Sequence, residues 1–152
     1  MAEIRTTHLM TLTVSVGAMQ VIGMTPSGSR RTGLVSGGKF QGERLCGTVL
    51  PGDADWFMVR GGGSNTADVR LVLKTDDNSL IGMTYRGIRH GPTAVMERLY
   101  RGEHVDPADY YLRTALAFET AAPKYDWLNR IIAIGTGRRA PEGPVYDIFE
   151  VL

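Results

Sequence analysis

The sequence predicts an all-β protein, built as a single antiparallel β-barrel of about 8–10 strands with one short helix and one domain over residues 1–152. Three observations carry this prediction. Apolar side chains alternate with period two in several segments, turn residues separate the segments at short intervals, and no helices are regularly interleaved with them. Such a chain has to hide the edges of its sheet, and closure into a barrel is the simplest way to do so.

The first predicted strand covers Met10 to Val16, where apolar residues alternate with Thr and Ser. That alternation is typical of a strand buried on one face. A second apolar segment, Met19 to Met24, leads into Thr25-Pro26-Ser27-Gly28, where Pro and Gly favour a turn. We interpret the two segments together as a hairpin or a meander.

Seven further strands are predicted, each bounded by turn residues. They are Arg44 to Leu50, Asp55 to Arg60, Thr66 to Thr75, Leu80 to Ile88, Tyr110 to Glu119, Trp127 to Gly137 and Val145 to Val151. The turn signals are Ser36-Gly37-Gly38, Pro51-Gly52, Gly61-Gly62-Gly63, Asp76-Asp77-Asn78, Gly135 with Gly137, and Pro141-Glu142-Gly143-Pro144. The repeated pattern indicates an antiparallel topology.

One segment, Pro92 to Arg101, has the pattern of a helix. Pro lies in its first turn, apolar Val95, Met96 and Leu99 recur at helical spacing, and Gly102 follows its end. We expect this helix to cover a mouth of the barrel.

The charge of the chain is nearly balanced, because 17 Lys and Arg against 16 Asp and Glu leave +1 at pH 7. Neither nucleic acid nor a membrane surface is therefore predicted as a partner. The single cysteine, Cys46, excludes an intramolecular disulfide, and residues 1–10 lack the basic and apolar regions of a signal peptide. A soluble, cytoplasmic protein is the expectation.

No motif of a common catalytic class occurs, whether a G-x-S-x-G elbow, a P-loop or an H-E-x-x-H pair. The three histidines, His8, His90 and His104, are scattered singly, so no metal site is predicted. The glycine-rich stretches lack the strand and helix context of a phosphate loop and are interpreted as turns. No cofactor is predicted.

Polar and aromatic side chains gather on one face of three predicted strands, opposite an apolar face. They are Asp68 and Arg70 on the first, Tyr111, Arg113 and Glu119 on the second, and Trp127 and Asn129 on the third. Such faces could contact water, form ion pairs that fix the strand register, or line a ligand cavity with rings as walls and charged groups as anchors. The pattern does not decide whether they point into the barrel or towards solvent.

Short runs over most of the chain resemble the family called domain of unknown function 3237. The runs are Gly37-Gly38 with Gly42, Val49-Leu50-Pro51-Gly52 with Ala54-Asp55-Trp56, Asp76-Asp77, Tyr85-Arg86-Gly87, Asp106-Pro107 with Tyr110-Tyr111 and Arg113-Thr114, Phe118-Glu119-Thr120, and Tyr125 with Trp127-Leu128-Asn129. The resemblance covers Leu9 to Val151. It implies a compact β-barrel comparable with lipocalin-like and cyclase-like barrels, and it implies no particular reaction.

The resemblance also marks a set of polar and aromatic positions. They are Asp55, Trp56, Asp68, Arg70, Tyr85, Arg86, Tyr111, Arg113, Glu119, Trp127 and Asn129. We expect Arg113, Glu119, Tyr111, Trp127 and Asn129 to converge on one cavity if the faces point inward.

The first hypothesis for function is a cofactor-independent isomerase, cyclase or lyase that acts on a small, partly apolar or aromatic molecule. Such a reaction needs a proton acceptor, a proton donor and a group that stabilises a developing anion. The candidates are Glu119 or Asp68 as base, Tyr111 or Tyr85 as acid, and Arg113 or Arg70 as stabiliser, with Trp56, Arg70, Tyr85, Trp127 and Asn129 binding the ligand. Replacing Glu119 by Gln or Arg113 by Met is then expected to abolish turnover.

Two other hypotheses stay open. The same cavity could bind a small molecule without any chemistry. Alternatively, side chains could fill the barrel, and an outer apolar stripe such as Leu128, Ile132 and Ile134 could join subunits into a homodimer or a higher homo-oligomer. The substrate, the reaction type and the oligomeric state are not predicted.

Overall fold

The computed structural model describes residues 1–152, which form nine strands, one α-helix and two 3₁₀ helices. The strands are β1 (Thr6–Thr25), β2 (Gly28–Gln41), β3 (Cys46–Val49), β4 (Ala54–Val59), β5 (Asn65–Thr75), β6 (Leu80–His90), β7 (Tyr111–Glu119), β8 (Ala133–Ala140) and β9 (Gly143–Val151). The helices are α1 (Thr93–Tyr100) and the 3₁₀ helices Pro107–Asp109 and Pro123–Arg130. None of them combines the length and the apolar character that crossing a membrane requires.

All strand pairs are antiparallel, and the pairing continues around a barrel-like ring. The ring closes at the long strand β1, which pairs with β9 over residues 6–13 and with β2 over residues 11–25. Strand β2 in turn pairs with β3 and β4, and both of these pair with β5. The structure confirms the predicted all-β antiparallel barrel with one short helix.

The first hairpin differs from the prediction. Residues 10–16 and 19–24 belong to one strand, β1. Its register with β2 is irregular near Val16, but the strand continues beyond that point. The predicted turn at Pro26-Ser27 does occur, but the strand beyond it, β2, was missed. The run Ser36-Gly37-Gly38 was predicted as a turn, whereas the strand needs Gly38: its φ is +145°, and a Cβ there would lie 2.2 Å from the Thr13 carbonyl oxygen.

The predicted strand Trp127 to Gly137 is wrong in its first half. Pro123–Arg130 is a 3₁₀ helix that buries Tyr125 and Leu128, and β8 begins only at Ala133. Proline at the first helical turn favours a helical conformation here, since its φ suits a helix and its missing N–H group is not needed there. Gly135 and Gly137, interpreted as a turn signal, lie inside β8.

The interior of the barrel has two different ends. Apolar side chains fill one end, where Tyr125 and Leu128 of the 3₁₀ helix pack among Phe40, Leu73 and Ile148 of a 26-residue hydrophobic core. At the other end the inward positions carry charged and small residues, and α1 lies over them with Leu99 and Tyr100. The helix predicted at Pro92 to Arg101 therefore covers a mouth of the barrel, as expected. One end of the barrel is closed and the other is hollow.

Candidate functional site

The hollow end of the barrel holds a pocket of about 330 Å³. That volume lies at the lower limit of small-molecule sites, which are roughly 300–1,000 Å³. Its apolar wall consists of Val16, Met19, Phe57, Leu99 and Leu112, and its charged residues are Arg31, Asp55, Arg89, Arg139 and Glu142. A small ligand with an apolar body and a polar group matches this lining.

Small residues on neighbouring strands create the space. Gly33, Ala67 and Gly87 occupy inward positions where larger residues would close the pocket. Deeper in the barrel, a Cβ at Gly137 would lie 2.6 Å from both Leu112 and Tyr146. Glycines of this chain therefore help to form the pocket, in addition to those that form turns.

The carboxyl group of Asp55 is the acid at the centre of the site. Asp55 lies on β4, paired with Gly33 of β2 on one side and with Val69 of β5 on the other. Its Oδ1 atom is buried without a hydrogen-bond partner. Burial raises the pKa of Asp55 to about 6, and the opposing charge of Arg89 only partly offsets that effect.

Three arginines face the same pocket from β2, β6 and β8: Arg31, Arg89 and Arg139. None of them belongs to an ion pair within 4.0 Å, and the Nε atom of Arg31 is buried without a hydrogen-bond partner. Arg89 is held by Asn65, whose amide oxygen, when it faces the guanidinium, accepts from Nε at 3.3 Å and from Nη2 at 3.0 Å. The site therefore presents cationic donors that are available to a ligand.

Two buried tyrosines lie near Asp55: Tyr146 lines the pocket, and Tyr85 packs against it. The rings of Tyr85 and Tyr146 meet edge to face, with their centroids 5.3 Å apart. Burial raises the pKa of both hydroxyls above the usual value, and the negative charge of Asp55 raises it further. Both groups therefore stay protonated at neutral pH and act as hydrogen-bond donors.

The polar strand faces singled out by the sequence point away from this pocket. Asp68, Arg70, Tyr111, Arg113 and Glu119 are all exposed on the outside of the barrel. The physical reason is the alternation of each strand, since the apolar residues between them fill the interior. The sequence left the direction of these faces open, and the structure places them in solvent.

These outer residues do not converge on one small ligand. Tyr111 and Glu119 lie at opposite ends of β7, eight positions apart and therefore about 26 Å apart along the strand. Tyr111 contacts His90, with ring centroids at 5.0 Å, and the Arg113 guanidinium lies 4.9 Å from its ring. Asp68 and Arg86 approach only to 4.0 Å, with both side chains exposed. The expected convergence at a cavity is not met, and a role for each residue stays a prediction.

The remaining predicted ligand-binding residues have separate surroundings. Trp56 is 49% exposed on the outer face, and Arg30 donates to its carbonyl oxygen. Trp127 is half-buried under the guanidinium of Arg44, 3.9 Å away. Asn129 holds the main chain of Thr120, accepting from its amide at 2.8 Å and donating to its carbonyl at 2.9 Å. Only Tyr85, 3% exposed, belongs to the interior beside the pocket.

Sequence reasoning therefore missed most of the residues that line the site. Arg31 lies in the unrecognised strand β2, Arg89 lies one residue past a predicted strand end, and Arg139 lies two residues past another. Asp55 was marked only through the family resemblance. A usable signal was the set of alternate residues in each strand that face inward: Val69 shares a face with Asn65, and Tyr85 shares one with Arg89. A polar residue that continues an apolar face is the pattern to search for.

Filling the pocket tests whether this space binds ligands. We expect Ala67→Leu to abolish small-molecule binding measured by calorimetry, because the longer side chain occupies space between Gly87 and the pocket. Ala117→Leu is the matched control, since Ala117 faces solvent on β7. Equal binding by both variants would contradict the assignment of this pocket.

Together, the fold and the pocket define a class of protein: a small antiparallel barrel that is apolar at one end and has a charged, ligand-sized cavity at the other. Within that class the chain belongs to the family described as "Protein of unknown function (DUF3237)", whose model matches residues 4–151.

Relatives of known sequence and structure share this fold over their whole length. A UPF0311 protein of Rhodopseudomonas palustris is 34% identical over 149 residues, which is 98% of this chain and 97% of the relative. A crystal structure of a conserved protein of unknown function from the same organism has a TM-score of 0.96 at 33% identity and covers both chains completely. A β-barrel-like protein from Acinetobacter baumannii has a TM-score of 0.87 at 35% identity over 99% of this chain and 98% of its own.

A more distant structure is described as an enzyme from Penicillium herquei. Its TM-score is 0.76 at 18% identity, over 99% of this chain and 96% of its own. At that identity the likeness concerns the fold alone.

Proposed function

We propose that the protein is a cofactor-independent enzyme, an isomerase, cyclase or lyase, in which Asp55 transfers a proton on a small, partly apolar or aromatic molecule bound in the barrel pocket. The observation that carries the proposal is the unpartnered Asp55 carboxyl oxygen in the pocket wall. The same barrel architecture accommodates an enzyme in the Penicillium herquei protein.

Asp55 has the properties of a general base. An acid whose pKa is about 6 is mostly ionised at pH 7, yet it is a stronger base than an ordinary aspartate. Its free oxygen lies beside apolar Phe57, on the same inward face of β4, where a ligand C–H or O–H group would pack. Burial therefore supplies both the basicity and the contact with substrate.

Arg31 and Tyr146 complete the proposed machinery. Arg31 is diagonal to Asp55 on the neighbouring strand, and its free Nε donor suits an oxygen that becomes negative. Asp55 removes a proton from carbon next to a carbonyl group; the C–H electron pair forms a C=C bond, and the carbonyl π pair moves to the oxygen, giving an enolate that Arg31 stabilises. Return of the proton from Asp55 to another atom completes an isomerisation, whereas expulsion of a leaving group, which takes up that proton from Asp55, completes an elimination. The Tyr146 hydroxyl donates a hydrogen bond to the ligand.

Hydrogen–deuterium exchange tests this proposal without knowledge of the natural substrate. Phenylpyruvate and phenylacetone carry an aromatic ring and an enolisable C–H group, and their exchange in D₂O is followed by proton NMR. We expect the protein to accelerate exchange of at least one probe, and Asp55→Asn to slow that exchange by about 100-fold or more.

Asp68→Asn is the matched control, because Asp68 is the exposed alternative base on the outer face. We expect that variant to exchange the probe at the wild-type rate. Loss of exchange in Asp68→Asn but not in Asp55→Asn would reverse the assignment. Binding of the probes without any exchange would favour the alternative hypothesis of a non-catalytic binding protein.

A further inference from the structure

The pocket holds more charged side chains than proton transfer requires. Three arginines and two acids, Asp55 and Glu142, line it, so 3 − 2 leaves an excess of one positive charge. No cation among them is neutralised by an ion pair within 4.0 Å. Arg31 and Arg89 are partly buried, and desolvation penalises a partly buried cation that has no paired acid, whereas Arg139 and Glu142 are exposed. The excess positive charge of the pocket therefore favours a monoanionic partner that the protein itself does not supply.

Arg89 of β6 and Arg139 of β8 line the same pocket, and the charge of one influences the other. The guanidinium of Arg89 is partly buried, and burial together with the charge of Arg139 lowers its pKa. The positive charges of both arginines also partly offset the rise in the pKa of the neighbouring Tyr146 hydroxyl. Two cations that line one pocket and belong to no ion pair within 4.0 Å favour an anion that contacts both.

The geometry of Arg89 is fixed before any ligand arrives. Asn65 holds its Nε and Nη2 atoms and also contacts the Tyr100 hydroxyl of α1 at 2.8 Å. The rings of Phe57 and Tyr100 lie 5.6 and 5.8 Å from its guanidinium carbon. A guanidinium positioned in this way has remaining N–H donors and loses little side-chain entropy when a carboxylate binds.

We propose that the pocket binds the carboxylate group of an organic monoanion between Arg89 and Arg139, with the apolar part of the ligand against Phe57, Leu99 and Leu112. This inference extends the proposed function, because it names the substrate class of the same site, but binding alone tests it. A carboxylate fits better than a phosphate ester, since the excess of one positive charge matches a single negative charge.

Calorimetric titration of the full chain compares benzoate with benzamide, its neutral isostere, and with inorganic phosphate. We expect benzoate to bind at least about tenfold more tightly than benzamide or phosphate, and Arg139→Met to lose about tenfold in benzoate affinity. Arg138→Met is the matched control, because Arg138 is the adjacent residue on β8 and pairs with Asp147 outside the barrel at 3.1 Å. Its affinity for benzoate is expected to stay within about twofold of wild type.

Four outcomes would overturn the inference: equal binding of benzoate and benzamide, an equal loss in Arg138→Met and Arg139→Met, no benzoate binding up to about 10 mM, or tighter binding of phosphate than of benzoate. The Asp55→Asn variant separates this inference from the proposed function. It is expected to bind benzoate at least as tightly as wild type, since a negative charge is removed, while proton exchange is lost.

Discussion

Replacing Asp55 by Asn is expected to raise the melting temperature of the protein at pH 8 by about 3–8 °C. The wild-type carboxyl has a pKa of about 6 in the folded protein, against 3.8 as its ordinary value. Keeping it ionised in the barrel therefore costs the folded state about 1–3 kcal/mol above pH 6. Asparagine has nearly the same shape and carries no charge, so that cost disappears.

The sign of this effect depends on pH. A carboxyl whose pKa is raised by folding contributes stability below its unfolded value of 3.8, and that contribution is lost as the pH rises through about 6. The gain from Asp55→Asn should therefore be present at pH 8 and absent at pH 4, as measured by thermal denaturation at both values. Asp68→Asn, at an exposed position, should change the melting temperature little at either pH. A destabilised Asp55→Asn protein at pH 8 would mean that the carboxylate is structurally required.

The second large effect concerns the pH dependence of catalysis. The exchange rate of an enolisable probe should fall about tenfold per pH unit below pH 6 and level off above it, because only ionised Asp55 accepts a proton. Between pH 7 and pH 4 the rate should fall about 100-fold. The measurement is the initial exchange rate across this range, with the uncatalysed rate subtracted at each pH.

The groups around Asp55 determine the pH below which the exchange rate begins to fall, which is the break in the pH profile. Arg89 lowers the pKa of Asp55, whereas the negative charge of Asp68 raises it slightly. Arg31, Tyr85 and Tyr146 also face or adjoin Asp55, and Arg139 and Glu142 line the same pocket. Arg89→Met should therefore move the break to higher pH, since an attractive positive charge is lost. A break near pH 4 in the wild-type protein would show that Asp55 is not the base.

The fold was predictable because period-two alternation and turn residues carry most of it. The failures occurred where local patterns compete. Glycines that permit close strand contact in β2 resembled turn residues, and the apolar Trp127-Leu128 pair resembled a strand although Pro123 begins a 3₁₀ helix. The predicted number of nine strands agrees with the structure because one strand was divided in two and another was missed.

The site was harder to predict for a physical reason. Clusters such as Tyr111 with Arg113 are easy to notice in the sequence because the outer face of a strand tolerates a charged side chain at every second position. The inward charges are isolated within their own strands, and Arg31, Asp55 and Arg89 reach one pocket only when β2, β4, β5 and β6 pair side by side. Pairing between strands that are distant in the sequence brings these residues together, and their spacing along the chain does not reveal it.

The most direct test of this account is the pKa of the Asp55 carboxyl, measured by carbon-13 NMR titration of aspartate-labelled protein. The Asp55→Asn spectrum assigns the signal. We expect a midpoint at about pH 6, which reflects an acid buried in the pocket wall. A midpoint near the ordinary value of 3.8 would contradict it, because Asp55 would then be as hydrated as the aspartates on the outer face.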